Sequence, residues 1–159
     1  MANLIYLKLT GVKQGLISAG CSSADSIGNK YQALHEDEIF VYELMSQLSR
    51  QENVSLYPVE IRKPIDKATP LLSQALSENE KLTCEFLFYR TAQSGGNELY
   101  FKIVLKEAVV NDIRILAPNS LTHNDLQPQE NISFKFSSIE WDHVIARTSS
   151  YIIWKDVEY

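Results

Sequence analysis

The chain has 159 residues, 45% of them hydrophobic and 22% charged, with 20 Asp and Glu against 15 Lys and Arg for a formal net charge of −5. That length suits a single domain with one sizeable core, read as residues 1–159, and the composition excludes extended disorder. An acidic chain without a Lys/Arg-rich run lacks the basic face that phosphate binding needs, so no nucleic-acid partner is implied.

The opening stretch Met1-Ala-Asn-Leu-Ile-Tyr has no basic leader, sustained apolar segment or small-residue cleavage site, so a signal peptide is not expected. No apolar run approaches the ~20 residues that span a bilayer, and membrane insertion is not expected either. Asn3 to Thr10 reads as a first strand, with Ile5, Leu7 and Leu9 on one face. Gly11 to Gly15 is a turn, Leu16 to Ser18 a short returning strand, and Gly20 to Gln32 a loop. Glu38 to Met45 is β-branched and aromatic and favours a strand, although its tail into Leu48 also fits a helix. Ser46 to Asn53 is a polar connector. Val54 to Ile61 alternates, and Pro58 demotes it to an edge or a bulge.

The helix signal lies at about Asp66 to Asn79. Ala68, Leu71, Leu72, Ala75 and Leu76 form one apolar stripe. Asp66 or Thr69 can cap its start, Pro70 fits the first turn and Asn79 suits the end. Next, Leu82 to Thr91 and Leu99 to Lys106 alternate on either side of Ser94-Gly-Gly-Asn97, which predicts a β-hairpin. Val109 to Leu116 continues that run or opens another strand. Ala117 to Gln129 is a long polar connection, Asn131 to Trp141 a strand with one buried face, and Tyr151 to Trp154 a last apolar run. About eight to ten strands and one helix predict a mainly β fold, a two-sheet barrel or sandwich with one flanking helix.

Signs of chemistry are weak. Gly15 to Ser22 has the glycine spacing of a phosphate loop, but Cys21 stands where the lysine must be. His35-Glu-Asp-Glu38 is an acidic cluster with no second histidine for a zinc helix, and it reads as a solvated loop. His123 and Asp125, or Asp142 and His143, would have to meet Cys21 or Cys84 to make a nucleophile and base, and no nucleophile elbow exists. The two cysteines read as free thiols. No catalytic, cofactor-binding or metal-binding residue is singled out.

Val54 to Leu72 carries a strand running into Asp66-Lys67-Ala-Thr69-Pro70 at a helix start. Together with Glu38-Ile-Phe-Val and Glu130-Asn-Ile-Ser-Phe-Lys-Phe, it resembles the Hcp family of bacterial type VI secretion. The resemblance runs along the whole chain in order and spacing. It implies a β-barrel with a flanking helix, a homohexameric ring with a central lumen, and rings stacked into a tube. It further implies a contractile sheath, a VgrG-type spike and effector proteins as partners. The protein would then be assembled in the bacterial cytoplasm and secreted without a signal peptide. A chain ending at Tyr159 resembles the plain tube subunit rather than one fused to a toxin.

Ring closure is physically reasonable, because a head-to-tail interface covers open sheet edges. Each such interface needs on the order of 1,200–2,000 Å². Ser46, Gln47, Leu48, Ser49, Arg50, Gln51, Glu52 and Asn53 are the expected stacking contacts between rings, being polar and without an evident core role. Two alternatives remain at this stage. One is a ligand-binding β-sandwich using Tyr100 and Trp154 as an aromatic platform, and the other is a cysteine hydrolase.

Overall fold

The computed structural model describes residues 3–155. Met1, Ala2 and residues 156–159, including the Tyr159 end on which the plain-subunit reading rests, lie outside the described residues. In chain order the strands are β1 (Leu4–Gly11), β2 (Gly15–Leu16), β3 (Ile39–Val41), β4 (Glu43–Met45), β5 (Leu48–Arg50) and β6 (Val54–Leu56). They continue with β7 (Val59–Pro64), β8 (Leu82–Thr91), β9 (Asn97–Leu116), β10 (Gln129–Lys135), β11 (Ser138–His143) and β12 (Thr148–Ile153). The helices are α1 (Ala24–Ile27) and α2 (Thr69–Glu78).

All pairings are antiparallel. A first sheet runs β3 and β2 against one side of β1, then β8, the first part of β9, β11 and β12. A second sheet runs from the later part of β9 through β10 and β7 to β4. The 20-residue β9 belongs to both. It pairs with β8 as far as Ala108 and with β10 from Val109 to Leu116. On the other flank, the chain turns from β3 into β4 at Tyr42, whose N–H donates to the Arg62 carbonyl at 2.7 Å. These two crossings fold the sheets over one another.

Period-two alternation supplies the core between them. Leu7, Leu9, Phe86, Ile103, Leu105 and Ile139 come from the first sheet, and Val59, Ile61, Ile132 and Phe134 from the second. Phe86 and Phe134 meet edge to face across the gap, with centroids 6.3 Å apart. Leu72 and Ala75 bury the inner stripe of α2, and a fully buried leucine contributes about 1.5–3 kcal/mol. Asn79 ends the helix in the left-handed conformation, with φ 52°, as asparagine tolerates.

The predicted fold class, the helix and the hairpin agree with the structure, and Val109 to Leu116 does continue the preceding strand. Several boundaries differ. Glu38 to Met45 is two strands in different sheets, separated at Tyr42. Val54 to Ile61 breaks at Tyr57-Pro58, where the missing proline N–H ends β6. Asn131 to Trp141 likewise bends between β10 and β11 at Phe136-Ser137. The connector Ser46 to Asn53 contains β5, so the tail into Leu48 is strand and not helix. The loop from Gly20 holds the single turn α1 and the 3-10 turn Gly28–Lys30.

Candidate assembly surfaces

The outward face of the second sheet is polar for a simple reason: its alternate residues fill the core. Strand register places Glu43, Arg62, Asn131 and Arg114 in one transverse row. Met45, Glu60, Ser133 and Asp112 form the next. Together these rows line a concave groove across all four strands. Arg62 ties the first row together, with Nη1 3.3 Å from Glu43 Oε2 and Nε donating to Asn131 Oδ1 at 3.2 Å. Arg114 is exposed, and no acid among the described residues pairs with it. Among the described residues, neither flank of this sheet has a pairing strand. No described strand pairs with the outer side of β4, or with the β8 side of β9 beyond Ala108.

The expected stacking segment forms an arm. β5 and β6 make a separate two-stranded sheet, with Leu48 opposite Leu56 and Arg50 opposite Val54, and the turn between them carries Gln51, Glu52 and Asn53. Ser46, Gln47, Ser49 and the rest of the segment are exposed. An isolated two-stranded hairpin is at best marginally stable in water. Here Leu48 and Val54 are 46% and 43% exposed, apolar surface that no described residue covers.

The helix-start residues turn out to be half of a buried polar cluster. Lys63, on the core-facing side of β7, extends its ammonium to Asp66 Oδ1 at 2.8 Å and to Glu130 Oε1 of β10. It also donates to the Pro64 carbonyl at 3.0 Å. Thr69 Oγ1 donates to Glu130 Oε1 at 2.9 Å and accepts the Asp66 N–H at 3.1 Å. Asp66 Oδ1 in turn accepts the Ala68 N–H at 2.9 Å. Asp66 therefore stands before the helix and fixes its first turn, rather than capping it from the N-cap position, which Ala68 occupies. Pro70 lies in the first turn of α2. Lys67 is exposed, its N–H donating to Ser26 Oγ of α1 at 2.8 Å. Sequence reasoning missed Lys63 and Glu130. Their signal was a charge at a core-parity position in each of two otherwise apolar alternations.

The cluster also explains the raised pKa of Asp66, whose burial outweighs the pull of Lys63 and the Ala68 N–H. One oxygen of each carboxylate, Asp66 Oδ2 and Glu130 Oε2, has no hydrogen-bond partner.

The sequence's chemical candidates find structural roles. In the glycine-spaced loop, Gly20 N–H donates to Asp37 Oδ1 at 2.9 Å and Ser18 Oγ accepts the Leu9 N–H at 3.2 Å, so these groups bind the loop to the protein. His35 is buried, not solvated: it stacks on Tyr6 at 4.0 Å, and its Nδ1 lies 2.8 Å from Glu38 Oε2. Cys21 and Cys84 are free, as read from the sequence, and both are fully buried. Burial pushes the Cys21 thiol up to about 12 and the Cys84 thiol higher still, so neither supplies a thiolate at neutral pH. His123 is bonded to Thr122 and His143 to the Ala146 N–H. The aromatic platform is not assembled either. Tyr100 lies under Arg90, 4.7 Å from the ring centroid, while Trp154 packs on Phe136 at 5.0 Å.

Comparison with known proteins points one way. Residues 6–143 match the family described as "Type VI secretion system effector, Hcp". The chain is 36% identical over 172 residues to the "Major exported protein" of Pseudomonas aeruginosa, covering 98% of this chain and 97% of that protein. A solved structure described as "Crystal structure of Hcp protein" superposes with a TM-score of 0.91 at 31% identity, over 98% of this chain and 99% of that one. "Secreted protein Hcp3 from Pseudomonas aeruginosa" gives 0.87 at 35% identity, over 97% and 99%.

Proposed function

The chain belongs to the Hcp family, the tube proteins of type VI secretion, and from that premise we propose that six copies close into a ring lined by the polar face of the second sheet. One observation carries this reading: a concave, charged four-strand face has no pairing strand, among the described residues, at either of its unlike edges, β4 and the end of β9. Unlike edges suit head-to-tail closure, which generates a ring when the rotation closes. The apolar alternate residues of these strands, Val59, Ile61, Ile132 and Phe134, are buried within the subunit, so the face left for the lumen is the polar one. Burial of both edges also removes the unpaired backbone that would otherwise template aggregation.

Rings then stack through the β5–β6 arm, which carries Ser46 to Asn53 and the uncovered Leu48 and Val54. Within the secretion machine, the tube runs inside a contractile sheath beneath a VgrG-type spike, and its lumen holds effector proteins. Export of the tube accords with the name of the Pseudomonas aeruginosa relative. Among the described residues no helix is long and apolar enough to cross a membrane. The subunit acts through assembly and carries no catalytic centre.

The test is the solution mass of the full chain by light scattering after size exclusion, across protein and salt concentration. Six times 18.1 kDa is expected. A monomer at every concentration overturns the ring.

A further inference from the structure

The two outward rows of the second sheet carry unlike charge. In the first, Arg62 and Arg114 outnumber Glu43, and Arg62 is already engaged by Glu43 and Asn131. In the second, Glu60 and Asp112 stand with Met45 and Ser133, and the row holds no cation. Both carboxylates are exposed, and no cation among the described residues pairs with either.

We infer that the row of Glu60 and Asp112 is the belt on which the lumen holds its cargo, and that the cargo presents lysine or arginine side chains flanked by apolar ones. This inference rests on the ring reading above and specifies the chemistry of what the ring carries.

Register sets the spacing of the belt. Glu60 and Asp112 lie on strands either side of Ser133, so their Cα atoms are roughly 9–10 Å apart, two interstrand steps. Ser133 is short and only 7% exposed, which makes the middle of the row a floor rather than a ridge. Met45 ends the row at 67% exposure, an unbranched apolar side chain that adapts to partners of many shapes. Two carboxylates on neighbouring rigid strands, with no cation of their own, are both favoured when a lysine or arginine enters. One exposed ion pair is weak. In a ring of six the row recurs in every subunit, so a cargo engages several such pairs at once and gains avidity without any stronger contact. The arginine row offers less to an acidic cargo, because Glu43 already occupies Arg62.

The test uses the full chain, after the wild-type mass has been measured. The probe is a short rhodamine-labelled peptide of repeating lysine, alanine and leucine, set against the same peptide with glutamate in place of lysine. Fluorescence anisotropy at low salt should show the lysine peptide binding the ring at least roughly tenfold more tightly than the glutamate peptide. Glu60→Gln with Asp112→Asn should weaken the lysine peptide by about tenfold or more, and added salt should close that gap. Asp25→Asn with Glu36→Gln removes two exposed carboxylates from the segment between β2 and β3. It should change the affinity by less than about twofold, which separates the belt from the general attraction of an acidic chain. Ring mass and thermal melting of each variant report whether assembly is intact. If the row variant does not assemble, Glu60→Gln alone takes its place, on a strand paired on both sides, with a loss of about threefold expected. Equal binding of the two peptides, or equal losses in the row and control variants, overturns the belt. A wild-type monomer overturns the ring reading, and the belt with it.

Discussion

Lys63 Nζ lies 2.8 Å from Asp66 Oδ1 with both side chains wholly removed from solvent, and the same ammonium serves Glu130 from the neighbouring strand. One cation thus joins β7, β10 and the segment that starts α2. Its removal leaves two carboxylates facing each other in a water-poor site. Breaking a buried ion pair by deleting one partner costs about 3–5 kcal/mol, because the remaining charge stays desolvated. Lys63→Met, which keeps the length and removes the charge, should therefore lower stability by an amount in that range in chemical denaturation. A loss below about 1 kcal/mol would mean that water already reaches the cluster.

The pH dependence of the same site has a definite sign. Burial first, and Glu130 after it, raise the Asp66 carboxyl above its ordinary range. Its folded value therefore exceeds the unfolded value of about 3.9, and folding takes up a proton between the two. The stabilisation from that proton is complete below the unfolded value and is lost as pH rises through the raised folded value. Asp66→Asn keeps the acceptor for Lys63 and Ala68 and removes the titration. Urea midpoints measured from acid to mildly alkaline pH should fall further for the wild type than for Asp66→Asn. Parallel curves would assign the proton elsewhere.

Gly11 owes its identity to a residue far along the chain. A Cβ there would lie 1.9 Å from Glu80 Oε2 and 3.2 Å from Ile17 Cδ1. Glu80 is held in place, accepting the N–H groups of Lys13 at 3.2 Å and Gln14 at 3.1 Å, with the Gln14 side-chain amide on Oε1 at 3.1 Å. Gly11→Ala should cost about 1–3 kcal/mol by overpacking. Glu80→Ala should cost about 1–3 kcal/mol by stripping the turn of its acceptor. Since the second change also removes the clash, the double variant should be less destabilised than the sum of the two by about 0.5 kcal/mol or more. Strict additivity in a denaturation series would show that Glu80 simply moves aside.

What the sequence made legible follows from local rules. The α2 stripe and the Leu82 to Leu105 alternation are periodicities, and a periodicity survives without knowledge of partners. The sheet changes at Tyr42 and Phe136-Ser137 did not register, because each keeps the alternation on both sides and shifts only the partner strand, and Pro58 registered as an edge or a bulge but not as a change of sheet. Asp66, Thr69 and Pro70 were visible as helix-start chemistry. Their link to Lys63 and Glu130 was not, since a charge at a core-parity position announces burial only once the opposing strand is known. Buried His35 was misread for the same reason. Its neighbours Glu36 and Asp37 are exposed, and the ring that receives it, Tyr6, lies in the first strand.

On the proposed reading, the β5–β6 arm serves stacking and not ring closure. Arg50 lies at the end of β5 and Glu52 in the following turn, both exposed and away from the open edges of the second sheet. Charges at the rim of an interface act mainly through long-range attraction and are screened by salt. Reversing both, as Arg50→Glu with Glu52→Arg, should leave the ring mass unchanged and the melting temperature within about 0.5 kcal/mol of equivalent stability. Capture of stacked rings by a tagged ring should fall several-fold at low salt, and the difference from wild type should narrow as salt is added. Unchanged capture would move the stacking contact off these charges, leaving Leu48 and Val54 as the part of the arm to truncate next. If ring mass is lost instead, the arm belongs to the seam between neighbours, and stacking must be sought on another face.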